Sequence, residues 1–268
     1  MSKANTAPEN VDWEREDAFD YADDLTLPEW AWEFLRRDPD YRKSWESARA
    51  GFAVTAHDRQ STLMDATDAA ARLSEWGCLY TSDPSFDARS SDVIWRPDLC
   101  SRVLHLTALP FSASGGDRFD LCDIACRWVL LRGDGHTQHL LFQDSTRSLQ
   151  LAVEGVSVLA PVRLVPRGEV DSRQLQLHRC FVDFQISSRL LPSHFPREYL
   201  SGRLKRVLRA LDGSLAGASH RQIAVTLFGE AQVEAEWCAA GRPLRDKVRR
   251  TINRGRFLMQ GGYCSLLR

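Results

Sequence analysis

Apolar residues recur along this chain with two different periods, and the changes between them divide it. From Pro28 the run PEWAWEFLRRDPDYRKSW carries Trp30, Trp32, Phe34, Leu35, Tyr41 and Trp45. Pro28 suits a first helical position, and Pro39 predicts a break into two short helices. Residues 60–75, QSTLMDATDAAARLSE, read as an Ala-rich helix. Trp76-Gly77-Cys78-Leu79, the Asp83-Pro84 turn and Val93-Ile94-Trp95-Arg96-Pro97 close this stretch and predict a boundary near Leu99. Short apolar runs follow: Val103 to Leu106, Trp128 to Leu131, His139 to Phe142, Leu149 to Val153, Val162 to Val165 and Leu175 to Leu177. They read as strands, with Asp134-Gly135 as a hairpin signal.

From Arg197 the helical period returns. Leu200, Leu204, Val207, Leu208 and Leu211 share one face, and Asp212-Gly213 reads as its stop. Ser219 suits the N-cap of a second helix carrying Ile223, Ala224, Leu227 and Phe228, which Gly229 ends. Pro243 opens a third. The expected fold is α+β: an aromatic-rich helical N-terminal unit over 1–99, a small, mostly antiparallel β-sheet over 100–195, and a C-terminal helix-turn-helix bundle over 196–268.

The third helix carries the candidate chemistry. At 100° per residue, Val248, Thr251, Ile252, Gly255, Leu258 and Met259 fall within about 80° of Leu244, which makes a core face. Arg245, Arg249, Arg250, Asn253 and Arg256 lie on the other side, Lys247 and Arg254 on a flank, and Arg242 just before the helix. Arginine can pair with guanine O6 and N7, asparagine with adenine N6 and N7, and surplus cations with phosphates. Phe257 is the apolar exception on that side. A solvated basic helix of an ordinary bundle would show the same pattern. The connection from Gly229 to Arg242 also exceeds the usual turn, although Glu230 to Trp237 can form a helical turn with Val233 and Trp237 facing the core.

Charge sharpens the picture only through its distribution. The whole chain has 35 basic and 36 acidic side chains. Residues 1–50, however, hold 7 basic against 13 acidic, while 197–268 hold 14 against 6. An acidic segment beside a basic one is electrostatically matched, and clustered aromatics need a surface to dock on. Trp30, Trp32 and Phe34 are therefore expected to pack the N-terminal unit on the C-terminal one.

Other classes find little support. The sequence contains no Gly-rich phosphate loop, G-x-S-x-G elbow or H-E-x-x-H pair, so catalysis, metal-dependent or otherwise, is the less favoured reading. Cys122 and Cys126 with His136 and His139 offer zinc-type ligands. Their spacing is loose, and both histidines flank the hairpin turn, so neither a metal centre nor a cofactor is expected. The seven scattered cysteines read as reduced thiols. No run of 18 apolar residues is present and the first residues are polar, which predicts a cytoplasmic protein without a membrane partner.

The C-terminal residues also carry a resemblance. His220-Arg221-Gln222-Ile223-Ala224, Leu227-Phe228-Gly229, Trp237, Leu244 through Arg250, Gly261-Gly262-Tyr263 and Leu266-Leu267 together resemble the C-terminal domain of FseA-type activators. That domain is similar to the DNA-binding domain of RovC-type regulators of type VI secretion. Tyr21-Ala22-Asp23, Pro28 through Arg37, Asp38 through Arg42 and Trp45, with the Trp76-Gly77 to Pro97 cluster, look like the domain that accompanies it in FseA-type proteins. The resemblance implies an extended-turn helix-turn-helix that binds promoter DNA through its positive face. It carries that role to Arg245, Arg249, Arg250, Asn253 and Arg256. It also implies activation of excision or transfer genes on integrative and conjugative elements, with double-stranded promoter DNA as partner and RNA polymerase or an antiactivator protein beyond it. Family members with an acidic version of the domain are antiactivators that work by protein contact without DNA. The basic balance of 197–268 points instead to the DNA-binding type.

Overall fold

The structure, a computed structural model, describes residues 12–57, 61–66, 72–112, 117–133, 137–144, 147–168, 171–238 and 243–268. Its contacts divide into two compact units, neither continuous in the chain. One gathers the described part of Met1–Lys43 with Asp83–Ser90 and Arg197–Leu266. The other comprises Ser44–Ser82, Ser91–Pro196 and Leu267–Arg268.

The second unit is built on a sheet of seven strands: β1 (Phe52–His57), β2 (Ser61–Ala66), β5 (Val103–Pro110), β6 (Arg127–Arg132), β7 (Thr137–Asp144), β8 (Arg147–Gly155) and β9 (Val162–Pro166). Their order is β1-β2-β6-β7-β8-β5-β9. The β2–β6 and β5–β8 pairs are parallel and the others antiparallel. β3 (Cys78–Thr81) and β4 (Val93–Trp95) form a separate antiparallel pair. Alternation sends Leu104, Leu106, Leu130, Leu140, Phe142, Leu151 and Val153 to one face, where Cys180, Phe181 and Phe184 of helix α3 (Ser172–Ser187) join the same core. Met64, Val129, Leu131 and Leu141 cluster with Ile94 of β4. The Gln150 side chain accepts from the Trp95 N–H at 3.0 Å and donates to its carbonyl at 2.7 Å, satisfying the backbone of β4.

This unit corrects two expectations. The sheet is larger than a small antiparallel one and takes β1 and β2 from the segment expected to be helical. Residues 61–66 form a strand because pairing with β6 and the burial of Thr62 and Met64 on one face outweigh the Ala-rich composition. Leu175 to Leu177, expected as a strand, lies within α3. There Asp171 accepts from the Gln174 N–H at 2.7 Å as N-cap, and Leu177, Cys180, Phe181 and Phe184 follow the i, i+3, i+4, i+7 spacing. The expected turn at Asp134-Gly135 lies outside the described residues.

The first unit is helical. A 3-10 helix (Asp17–Asp24) leads to α1 (Leu27–Leu35) and, after the expected break at Pro39, the start of α2 (Pro39–Ala48). The C-terminal stretch supplies α4 (Ser201–Leu215), α5 (His220–Phe228), α6 (Glu230–Glu236), α7 (Pro243–Met259) and a closing 3-10 turn (Gly262–Leu266). α1 is buried from Trp30 to Leu35, and it packs against α4, α7 and the closing turn. α4 runs past Gly213, the expected stop. A Cβ there would stand 2.8 Å from the Trp13 ring and 3.1 Å from Ile223, so this glycine permits close packing inside the helix instead of ending it.

Charge joins the acidic N-terminal segment to α4. Lys205 Nζ bonds Asp20 at 2.8 Å and Asp23 at 3.3 Å. Arg209 reaches the carbonyls of Trp13 and Glu14 and the carboxylate of Glu16, and Arg197 pairs with Asp23. Deeper in, the Glu33 carboxylate accepts from Arg36, Arg37 and the Ala88 N–H. Burial alone would raise its pKa, but the charges of Arg36 and Arg37 reverse that and hold it at about 2.

Candidate nucleic-acid interface

Local signals in the sequence set the ends of the helices around the candidate face. Ser219 and Gln222 form a reciprocal capping box at the start of α5, with bonds of 2.8 and 3.3 Å. Gly229, at φ +87°, turns the chain directly into α6, a backbone conformation that side chains disfavour. α6 inserts Val233 into a core with Ala210, Ile223, Ala224, Leu244, Val248 and Ile252, against which Trp13 and Trp237 also pack. A third short helix thus occupies the long connection between α5 and α7, as residues 230–237 suggested.

α7 buries Leu244, Val248, Ile252, Gly255, Leu258 and Met259. Thr251, expected on the core face, is half-buried and donates its hydroxyl to the Lys247 carbonyl at 2.8 Å. Gly255 allows α7 to approach α4: a Cβ would stand 2.9 Å from Leu211 Cβ and 3.2 Å from the Val207 carbonyl oxygen.

The opposite side of α7 is open. Lys247, Arg249, Arg250, Asn253, Arg254 and Arg256 are all exposed. Arg245 is half-buried, with its guanidinium 5.0 Å from the Trp237 ring centroid. Lys247 Nζ lies 4.4 Å from the Phe228 ring and the Arg254 guanidinium 5.1 Å from that of Phe257. Arg256 donates to Ser214 Oγ at 2.8 Å. Asp246 is the one acid on this helix, and its pair with Arg249, at 3.0 Å, is the only ion pair on α7 among the described residues. Arg242 lies outside the described residues. The roles of Phe228, Trp237 and Ser214 as seats for these cations had no signal in the sequence, since each contact joins α7 to another element.

Trp30, Trp32 and Phe34 sit in the same unit, each at most 1% exposed. The Trp30 and Phe34 rings stack 6.3 Å apart, and Trp32 meets Tyr41 edge-on and donates to the Phe86 carbonyl at 3.3 Å.

Residues 166–268 match the family described as "T6SS, Transcription factor, DNA binding domain", and residues 12–80 match a "Proteobacterial transcriptional regulator-like domain". The domains indicate a DNA-binding transcriptional regulator. The first match takes in α3 through the C-terminal turn of this regulator, including all of α7; the second takes in α1, α2, β1 and β2 and ends within β3. No curated protein matches the regulator. Both descriptions are of regulators and neither is of an enzyme. Of the zinc-type ligands noted above, Cys122 is exposed, Cys126 is half-buried, His139 is buried on β7 and His136 lies outside the described residues. Among the described residues no three His, Cys, Asp or Glu side chains gather where a metal could be held, and no helix is long and apolar enough to cross a membrane.

Proposed function

We propose that the regulator binds double-stranded promoter DNA with α7 in the major groove and activates excision or transfer genes of a mobile element, working in the cytoplasm with RNA polymerase as its further partner. Arg249, Arg250 and Asn253 read base edges, Lys247 and Arg254 grip phosphates, and Arg242, Arg245 and Arg256 border the contact. Trp30, Trp32 and Phe34 dock the N-terminal segment on the helices that carry α7, a reading supported by the packing of α1 on α4 and α7.

One observation carries this proposal. Asp20, Asp23 and Glu16 of the N-terminal segment pair with Arg197 and with Lys205 and Arg209 of α4, and among the described residues the exposed cations of α7 form an ion pair only with Asp246. The basic excess of the C-terminal stretch is therefore available where a groove-sized helix face is open. The mobile-element assignment rests on the resemblance of both ends of the chain to FseA-type activators.

Genome-wide mapping of bound DNA, with Arg250→Ala and Asn253→Ala proteins as controls, tests it. Discrete sites upstream of excision or transfer genes, lost in both variants, are the expected outcome, together with a fall in transcription when the protein is removed. Sites elsewhere would reject the mobile-element assignment. A protein bound to no DNA, yet still altering transcription through another protein, would reject the whole reading.

A further inference from the structure

Phe257 is 53% exposed on the side of α7 that faces away from the core. At 100° per residue it shares a ridge with Arg250 and Asn253, seven and four residues earlier. An isolated exposed apolar residue needs no explanation in itself. This ring, however, is seated. A Cβ at Gly262 would stand 2.5 Å from Phe257 Cδ1 and 2.6 Å from its carbonyl oxygen, so the backbone at Gly262 approaches as only a glycine can. The Arg254 guanidinium covers the ring at 5.1 Å. An apolar surface held in place among base-reading and phosphate-gripping groups fits the one apolar feature of the major groove, the C5 methyl of thymine.

We propose that Phe257 is a specificity-determining residue that contacts a thymine methyl group. The inference rests on the proposed placement of α7 in the major groove. Four residues of helix span about 6 Å, close to two base-pair steps of about 3.4 Å. The thymine therefore lies about two base pairs from the base read by Asn253.

The test uses the full chain and a duplex selected from random sequence. Each thymine is replaced in turn by deoxyuridine, which removes the methyl group alone, and binding is followed by fluorescence anisotropy. One position, about two base pairs from the one whose preference Asn253→Ala relaxes, should weaken wild-type binding about fourfold, the effect of losing one buried methyl group. Phe257→Ala should bind the thymine and uracil duplexes equally, and Phe257→Leu should keep part of the difference. Wild-type protein that binds with strong salt dependence but ignores every uracil, or Phe257→Ala protein that still discriminates, would overturn this inference and leave the placement of α7 standing. Wild-type protein that selects no duplex would overturn both.

Discussion

Arg37 and Asp212, 175 residues apart in the chain, meet in a two-point ion pair, Nε to Oδ1 at 2.5 Å and Nη2 to Oδ2 at 2.8 Å. Both side chains are at most 1% exposed. The chain just past the end of α1 is thereby fastened to the last turn of α4, the helix that α7 packs against. A buried pair adds little over an apolar replacement, but breaking it strands a charge. Arg37→Ala or Asp212→Ala should each cost about 3–5 kcal/mol in chemical denaturation. The double variant Arg37→Met/Asp212→Leu should recover part of that loss and not all of it, because Glu33 then keeps Arg36 but loses Arg37. Lys43→Ala, which removes an exposed pair with Asp40, should have no measurable effect.

Acid should act through Glu33. Its folded pKa of about 2 lies below the ordinary 4.5. A depressed carboxylate contributes stability above its unfolded pKa, and loses it as pH falls from about 4.5 through 2. Glu33→Gln should be less stable at neutral pH and show a flatter dependence across that window, measured by thermal unfolding at stepped pH.

His139 should act at milder acidity. Burial, then the nearby His105, lowers its pKa from 6.5 to about 4, so the unfolded chain takes up a proton that the folded chain does not. Stability should therefore fall as pH drops from about 6.5 towards 4. His139→Leu should lose less stability over the same interval; an identical loss would rule this histidine out.

The sequence exposed those parts of the fold that local rules control. Pro39 separates α1 from α2, Ser219 and Gly229 bound α5, and the 3.6-residue period of α7 sorts its buried from its exposed positions. It concealed what depends on distant partners. Residues 61–66 become a strand only because β6 lies alongside, and Gln174-Leu175-Gln176-Leu177 alternates like a strand while sitting in a helix. Gly213 reads as a stop until Trp13 is seen against it. At the candidate face, the exposed cations of α7 follow from periodicity, but the rings beneath Arg245 and Lys247 belong to other elements and carry no pattern.

Gly255 sets the spacing of α4 and α7. Alanine is the better helix former by about 1 kcal/mol, yet its Cβ would press on Leu211 and on the Val207 carbonyl, a cost of about 1–3 kcal/mol. The clash should win. Gly255→Ala should lower the melting temperature, and a rise would show that the two helices can separate freely.

The side chains of α7 should divide by role. Arg249→Ala and Asn253→Ala are expected to relax sequence preference, each by about 1–3 kcal/mol at one position. Lys247→Ala and Arg254→Ala are expected to weaken binding to all duplexes alike. Competition assays with matched and mismatched duplexes distinguish the two patterns, and equal losses from all four variants would reject the division.

On the proposed reading, the open basic face of α7 meets DNA. The most direct measurement is the affinity of the full chain for duplex DNA over a range of salt concentrations. Wild-type protein should bind with log K falling steeply and linearly against log salt, and Arg254→Ala should reduce that slope by about 0.9, one phosphate contact. No binding in dilute buffer, or a slope unchanged by removing the cations of α7, would contradict it.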